Sequence, residues 1–593
     1  MVRSLQRTQQ QESRGQTQQG RQQRHHLAQD QRKQYLRTEV HHQQDQNHQN
    51  LLVQQQEGQE DWQRHGLQQH DQQRQQLQEP QPCFAAPRVH VKFLGGKRER
   101  GLVASEPIEA SEVIYTEESP LLAVQHEFSR LCGLTCSNCL RFVGSLKDCI
   151  RHVLIQGGRH ELVADLSLLP DSFIQKTGLS LGPVVPCGET GCPAVYCSQE
   201  CYEHARRDTI HRMVCVEAAD RKAWLKFLSH ARRHHDGLVM AGACVAQVVF
   251  EVLFKGRQFP EALRRFRQFY SAPWESLAPD SSVSGGPAGS LGGPRTDTAE
   301  GRRSLLLESL ELLKRVLDPI ISCSGDPELR DTLGSLFQLD LYSRLLGTFS
   351  LVCLDVEFPH PLNRRLVDLQ RTLFLLRYRR EEIPEGLCGV PLEVLAPSGV
   401  CQRPSLRLQD VSAEDEQHAF LLRKFLKEVH AITRWDDDDA GPEEPGSPEA
   451  SADPSVYTWG APLLPFIGWG LFRLGSMTNH SCWPNAEADF PLHSTALEVR
   501  ALRPIDMEEE VTVSYIDEAL PLHQRRQILQ KHYGFTCTCP RCVVEAAEAL
   551  LVVMRAPECS DGAKLEELVA RRTGLPLAVV TEVRQYSRRL HKP

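Results

Sequence analysis

Apolar and polar side chains alternate from Val89 to Phe93, the first regular pattern in the chain. Strict alternation is typical of a strand with one buried face. Several short apolar runs follow, so residues 88–125 are predicted to form a small β unit. Residues 456–535 again show short apolar runs between turn residues, which predicts a second β unit far along the chain.

The middle of the chain has helical periodicity instead. Helices are predicted at 217–270, 305–317, 329–346, 414–433 and in the tail from 546. The longest apolar run, 237–250, is shorter than a membrane span and predicts a buried helix with Asp236 as its N-cap. Residues 276–298 and 435–454 have the Ser, Gly, Pro or acidic composition of loops. The mixed pattern of 358–405 fits no single element.

Residues 1–82 are dominated by Gln with few large apolar side chains. This predicts disorder, or alternatively a Gln-rich helix or coiled coil, and no function follows from it. The chain shows no secretory signal and no membrane-length run, so we expect a soluble intracellular protein with no membrane partner. The net charge of −8 argues against polyanion binding by the whole chain, and no direct nucleic-acid site is evident.

The 593 residues predict three or four units. The chain has 20 cysteines, and many form tight pairs in two regions, a pattern typical of metal binding. The first region offers eight N and S ligands, enough for two tetrahedral zinc ions: Cys136, Cys139, Cys187, Cys192, Cys197, Cys201, His211 and Cys215. The alternative is a set of ordinary buried cysteines. Cys149 and His204 are competing ligands.

The second region offers only three thiolates, at Cys537, Cys539 and Cys542. A structural zinc ion takes four ligands, and Cys482 supplies the fourth if the two loops meet. The sequence therefore predicts three zinc ions in all.

Residues 195–201 read Val-Tyr-Cys-Ser-x-x-Cys and resemble the MYND zinc finger. The resemblance implies interleaved ligands, with Cys136, Cys139, Cys197 and Cys201 on one zinc, and Cys187, Cys192, His211 and Cys215 on the other. Four residues separate Cys187 from Cys192 where two are usual, so Cys187 is the least secure ligand. A finger alone would imply an adaptor that binds peptide partners, which is the main rival interpretation.

Residues 479–486 read Asn-His-Ser-Cys-Trp-Pro-Asn-Ala, and 511–515 read Val-Thr-Val-Ser-Tyr. With Tyr-Gly-Phe-Thr-Cys-Thr-Cys-Pro-Arg-Cys at 533–542, this combination resembles the SET domain. With the finger, the chain resembles the SET and MYND domain family of protein lysine methyltransferases, and above all a member with a short C-terminal tail.

The resemblance implies an α+β fold. A SET-domain β fold with a pseudoknot would be built from 88–125 and the catalytic core 456–535. It would be interrupted by a MYND zinc finger at 136–215 and a helical insertion at 217–455, and completed by a post-SET zinc segment at 536–545 and a helical tail at 546–593.

The resemblance also assigns the candidate site and its cofactor, S-adenosyl-L-methionine. Tyr515 would orient the substrate amine, with Tyr533 as a second catalytic aromatic. The cofactor would contact Asn479, His480, Tyr515, Phe535 and the backbone around Arg100, Gly101 and Leu102. The substrate would be a protein lysine, on a histone or on a ribosomal or other translation protein, which implies a cytoplasmic and nuclear location.

Two residues depart from the family pattern. The first turn usually reads Gly-x-Gly-Leu, and Glu99 replaces its first glycine. Before the Tyr515 strand the family has Gly-Glu-Glu, and Glu508 replaces that glycine. If these positions need a positive φ, both turns are strained. The alternative to an active enzyme is therefore a catalytically weak adaptor.

Overall fold

The structure, a computed structural model, describes residues 88–95, 98–215, 218–277, 298–379, 412–433, 463–491, 494–553 and 562–590. The Gln-rich segment 1–82, the acidic loop 435–454 and most of the predicted loop 276–298 lie outside these residues, as does much of 358–405. The strands of the described part are β1 (Val89–Phe93), β2 (Arg100–Ala104), β3 (Val113–Glu117), β4 (Leu122–Gln125), β5 (Val185–Pro186), β6 (Val195–Tyr196), β7 (Leu354–Phe358), β8 (Phe466–Leu471), β9 (Asn479–His480), β10 (Ala486–Asp489), β11 (Leu497–Ala501) and β12 (Glu510–Val513).

The two predicted β regions interleave in space. One sheet has the order β1-β2-β12-β9, a second β10-β11-β3 and a third β4-β8-β7, while β5 and β6 form a separate hairpin. Each of the three larger sheets therefore joins a strand from before residue 126 to a strand from after residue 465. Val511 pairs with Leu102, and Val499 pairs with Tyr115. This long-range pairing brings the Asn479 and Tyr515 segments to the first β unit.

Helices fill the remainder, which confirms the mixed α and β fold class. They are α1 (Glu127–Cys132), α2 (Leu146–Gln156), α3 (His160–Val163), α4 (Asp171–Lys176), α5 (Gln199–Asp208), α6 (His211–Val214), α7 (Ala218–His234), α8 (Asp236–Lys255), α9 (Phe259–Arg267), α10 (Ala299–Ser322), α11 (Pro327–Gly334), α12 (Leu339–Val352), α13 (Pro361–Arg379), α14 (Ala413–Thr433), α15 (Leu522–Tyr533), α16 (Pro540–Val553), α17 (Gly562–Thr573) and α18 (Leu577–Leu590). The predicted helix 414–433 is confirmed by α14.

Helix α8 is the apolar run singled out in the sequence. Among the described residues it is the one helix long and apolar enough to cross a membrane, and 72% of its most apolar window is buried inside the protein. It packs against α7, α9, α10, α12 and β4. The predicted N-cap was wrong: His235 accepts the Gly237 amide at 3.0 Å. Asp236 instead pairs with Nδ1 of His126 at 2.8 Å.

The predicted single helix 329–346 was also wrong. The chain forms α11, a short 3₁₀ turn at Ser335–Phe337 and then α12. Gln338 is extended, with φ −78° and ψ 133°, so the helical path cannot continue through it. The Ser335 hydroxyl donates to the Thr332 carbonyl at 2.6 Å, a local side-chain bond that competes with helix propagation.

Helices α16, α17 and α18 form a C-terminal helical unit with its own apolar core. The core comprises Val544, Ala547, Leu551, Leu565, Val569, Val580 and Val583. Trp483, which belongs to the segment after β9, is partly buried against this core.

Candidate active site and metal centres

Parallel pairing of β9 with β12 builds the candidate site. Asn479 pairs with Thr512, and His480 pairs with Val513. The Ser481 amide continues the ladder to the Val513 carbonyl at 2.9 Å. Because β12 leads directly to Tyr515, the predicted Asn-His and Tyr motifs, 36 residues apart from 479 to 515, lie side by side.

Tyr515 is held at both its backbone and its hydroxyl. Its amide donates to Nδ1 of His480 at 3.0 Å, and its hydroxyl donates to the Thr478 carbonyl at 2.6 Å. Burial raises the pKa of Tyr515, and the charge of Glu510 adds to the effect. The phenol therefore stays protonated at neutral pH and acts as a directed hydrogen-bond group.

Aromatic rings surround this phenol. The centroids of Tyr515 and Tyr533 are 5.0 Å apart, and those of His480 and Phe535 are 6.1 Å apart. Tyr533 ends helix α15, and Gly534 follows it with a φ of 74°. This left-handed turn, which glycine adopts without strain, redirects the chain so that Phe535 returns to the same group 6.5 Å from Tyr533. The result is a partly buried wall of four rings.

The Arg100, Gly101 and Leu102 stretch lies in β2 beside Asn479. The Asn479 side-chain amide donates to the Arg100 carbonyl at 3.1 Å and to Glu510 at 2.8 Å. Gly101 has no room for a side chain, since an added Cβ would lie 2.8 Å from the Asn479 amide nitrogen. Leu102 has no exposed surface, and its backbone lies between two paired strands, opposite Val91 and Val511.

Glu99 and Glu508, the two residues in place of family glycines, both have a positive φ, 47° and 67° respectively. This backbone region disfavours residues with a Cβ. The Glu99 carbonyl closes its turn by accepting the Leu94 amide at 2.6 Å. The Glu508 carboxylate pairs with Lys92 at 2.5 Å. Both turns therefore have the left-handed backbone that glycine adopts easily. A residue with a Cβ adopts it only at a cost in free energy.

We expect Glu99→Gly to stabilise the protein by about 1 kcal/mol, because glycine removes the left-handed penalty. Glu99→Ala keeps a Cβ at the same φ and is the matched control. Thermal unfolding of the wild type and both variants measures the effect, with the glycine variant melting about 1 °C above the alanine variant. Equal melting temperatures for the two variants would show that the turn stores no strain.

The eight candidate ligands of the first cysteine region form two groups of four. Cys136, Cys139, Cys197 and Cys201 form one, and Cys187, Cys192, His211 and Cys215 form the other, with all donor atoms of a group within 4.8 Å of one another. Cys187, the least secure prediction, lies 3.2 Å from the His211 ring and 3.8 Å from Cys215. The competing candidates lie outside both groups, since Cys149 contacts His360 and His204 contacts Asn138.

A third group unites Cys482 with Cys537, Cys539 and Cys542, all of them buried. The Cys482 sulfur is 3.9 Å from Cys537 and 3.5 Å from Cys542. Zinc–thiolate bonds of about 2.3 Å in a tetrahedron give sulfur separations of about 3.8 Å. The spacing and the soft donor set of all three groups therefore fit zinc.

His480 links the third group to the aromatic wall. Its Nδ1 accepts the Tyr515 amide, so the proton of the neutral ring resides on Nε2. Nε2 lies 3.2 Å from the Cys482 sulfur and donates to it. Both ring nitrogens of His480 are thus engaged inside the protein, which leaves only its ring face and backbone for a ligand.

Two arginines without exposed surface flank the third group. Arg525 and Arg541 share the single carboxylate of Glu545, at 2.5 and 2.7 Å. Burial opposes its charge, but Glu545 and Cys482 raise the pKa of Arg525 above its ordinary value. Two buried cations against one anion leave an excess positive charge, and uncompensated buried charge is costly. A zinc ion with four thiolates carries net negative charge and compensates it, which further supports metal at this group.

Sequence reasoning missed several residues that position the site. Asn485 lay inside the quoted motif without a role, yet its amide group bonds the Glu510 carbonyl and the Thr512 amide, both at 2.8 Å. Thr478, which precedes the motif, accepts the Tyr515 hydroxyl. The buried Glu117 carboxylate accepts three successive backbone amides at 473–475, at 2.8 to 3.0 Å. Nothing in the Glu117 sequence neighbourhood signals this contact, because its partners are more than 350 residues away.

Comparison with known families relates one region of the chain to a known domain. The SET domain model matches residues 381–516, a span that contains Asn479, His480 and Tyr515. This region of the chain is therefore similar to a SET domain.

Individual proteins with similar sequences add to this match. The human "Protein-lysine N-trimethyltransferase SMYD5" is 46% identical over 84 residues, 14% of this chain and 20% of the relative. A SET and MYND domain-containing protein of Dictyostelium discoideum is 42% identical over 79 residues, 13% and 23% of the two chains. The "Histone-lysine N-methyltransferase ATXR2" of Arabidopsis thaliana is 24% identical over 505 residues, 76% of this chain and 89% of the relative. The SET and MYND resemblance is confirmed by these relatives, although the alignment with the first of them spans only 20% of its length.

Proposed function

We propose that this chain is a protein-lysine N-methyltransferase that uses S-adenosyl-L-methionine. The observation that carries the proposal is the Tyr515 phenol, fixed by the Thr478 carbonyl inside a wall of aromatic rings and beside the Asn479 segment. The relatives named as protein-lysine and histone-lysine methyltransferases support it. When bound, the cofactor supplies a methyl group on a sulfonium, which an amine attacks in line.

The aromatic wall suits the nucleophile of this reaction. A lysine amine has a pKa near 10.4 in water and must be neutral to attack. A channel formed by Tyr515, Tyr533 and Phe535 disfavours the ammonium form by excluding water. The chain itself then contributes mainly alignment, with the Tyr515 hydroxyl orienting the amine.

The polar ends of the cofactor require hydrogen-bonding partners. Asn479, the backbone of His480 and the backbone of Arg100 and Gly101 lie together next to the aromatic wall, and we assign the cofactor to this side. The tight fit of Gly101 against Asn479 supports close backbone approach at this position.

We further propose that each of the three cysteine groups holds one zinc ion. The two finger groups would form a MYND-type finger inserted between α1 and α7, and the third would be the post-SET site. Because so little apolar sequence lies between Cys187 and Cys215, the metal would supply much of the finger's folding free energy. The finger would also present a surface for peptide partners.

The substrate would be a lysine on a histone or a ribosomal protein, in the nucleus and the cytoplasm. The histone assignment takes support from the ATXR2 name of one relative. The positive φ of Glu99 and Glu508 favours a second candidate, a catalytically weak adaptor that recruits partners through the finger, because strain in these turns would weaken cofactor binding.

Incubation of the full chain with radiolabelled S-adenosyl-L-methionine and cell extract separates the two candidates. We expect labelled protein bands, and mass spectrometry of those bands should place the methyl groups on lysine. Direct calorimetry should show cofactor binding by the isolated chain. A chain that neither binds the cofactor nor labels any protein would be an adaptor, and Glu99→Gly would then show whether the strained turn is responsible.

A further inference from the structure

The C-terminal helical unit touches the proposed cofactor segment at two adjacent residues. Trp483 is packed against the apolar core of the unit. Immediately before it, the Cys482 carbonyl accepts a hydrogen bond from Arg541 at 3.1 Å. These contacts fall three and four residues after Asn479, within the segment that also carries His480.

Arg541 distributes its bonds over four separate parts of the chain. Besides Cys482, it donates to the Glu518 carbonyl at 2.8 Å, to Glu545 at 2.7 Å and to the Ser587 hydroxyl at 3.1 Å. Glu518 follows the Tyr515 strand, and Ser587 lies on the last helix, α18. One guanidinium thus ties both loops of the proposed site to the C-terminal helices.

Stability alone is a poor explanation for such a residue. Arg541 has no exposed surface, and a buried ionic group often stabilises a protein less than an apolar residue of similar volume. A planar guanidinium with several fixed donors is, however, well suited to holding carbonyls in one orientation. Arg503 also lies over the Trp483 ring, 4.7 Å from the ring centre, so this side chain contacts both the helical core and a residue outside it.

We propose that the C-terminal helical unit is a clamp that fixes the conformation of the cofactor-binding segment 479–483, with Arg541 as its positioning residue. The proposal rests on the proposed function only in calling this segment cofactor-binding. Arg541 touches neither the substrate nor the cofactor, and acts through the Cys482 carbonyl and the packing of Trp483.

Arg541→Met in the full chain tests the clamp, with the exposed Arg572→Met on α17 as the matched control. Hydrogen–deuterium exchange of peptides covering 478–485 should become faster in Arg541→Met alone. Its dissociation constant for S-adenosyl-L-methionine should rise about tenfold or more, as is typical when a residue supporting a ligand site is lost. The maximal rate at saturating cofactor should change much less. Zinc content should stay at the wild-type level, because Arg541 bonds oxygen atoms and the arginine that contacts the Cys542 sulfur, Arg525, is kept.

A second variant guards against a general folding defect. Val580→Asp places a charge in the core of the helical unit, at a position with no exposed surface, and should release the helices without touching the segment. Faster exchange at 478–485 is again expected. The proposal is wrong if the C-terminal helices of Val580→Asp exchange freely while 478–485 stays protected and the cofactor affinity is unchanged. If the wild type binds no cofactor, the proposed function fails, and the exchange rates still decide whether the helices hold the segment.

Discussion

Tyr515→Phe is expected to lower kcat for methyl transfer about a hundredfold to a thousandfold, the usual cost of removing one directed hydrogen-bond group from a transition state. The phenylalanine ring preserves the contact with Tyr533, so the aromatic wall stays intact. The variant loses only the hydroxyl that bonds the Thr478 carbonyl. Single-turnover measurements with labelled cofactor and a purified substrate give the rate directly.

Two further tyrosine variants separate chemistry from packing. Tyr202→Phe removes a hydroxyl that accepts a bond from Arg206 at 3.1 Å within the finger, and should leave kcat unchanged. Tyr533→Phe should have an effect between the two, because its ring lines the wall but Tyr515 keeps its own bond. Cofactor affinity should change little in Tyr515→Phe because the ring is kept, and the melting temperature should fall slightly because the buried Thr478 carbonyl loses its partner. A Tyr515→Phe enzyme with full activity would remove Tyr515 from the mechanism.

The parts of the site that the sequence predicted are those defined by local spacing. Cysteines a few residues apart must lie close together in any fold, so the sequence alone identified the pairs. The fourth ligand of the third group, Cys482, was predicted because three thiolates leave a structural zinc ion one ligand short. Its spacing from the other cysteines gave no sign of this role. The Asn479 and Tyr515 motifs are likewise short, and their meeting depends on the β9–β12 pairing. The resemblance implied a pseudoknot but named no strand pairing.

Residues whose roles depend on distant partners were not predictable. Arg541 lies inside the cysteine motif, between Cys539 and Cys542, and the sequence gives it no role, yet it is fully buried and bonds a carbonyl 59 residues away. His235 caps α8 where Asp236 was expected. The Asp236 carboxylate instead pairs with His126, which is distant in sequence. The break between α11 and α12 lies at the extended Gln338, just after a Ser335 side-chain bond, and helical periodicity gives no sign of either. In each case a tertiary or side-chain contact overrides a reasonable local preference.

Cys482→Ser should remove one zinc ion per chain and weaken cofactor binding at the same time. A serine hydroxyl does not replace a thiolate in a structural zinc site, and the metal contributes folding free energy on the order of 10 kcal/mol in small zinc domains. Losing the site would release Phe535 from the aromatic wall. It would also remove the acceptor of the His480 Nε2 proton, 3.2 Å away.

The comparison variant is Cys149→Ser, which changes a buried thiol that contacts His360 and lies outside the three ligand groups. Metal analysis of purified protein should find three zinc ions in the wild type and in Cys149→Ser, and two in Cys482→Ser. The melting temperature should fall by several degrees only in Cys482→Ser, since only that change dissolves a metal site. Cys482→Ser protein that retains three zinc ions would leave Cys537, Cys539 and Cys542 bound to some other fourth ligand, and His480 would then be oriented by packing rather than by a metal-bound thiolate.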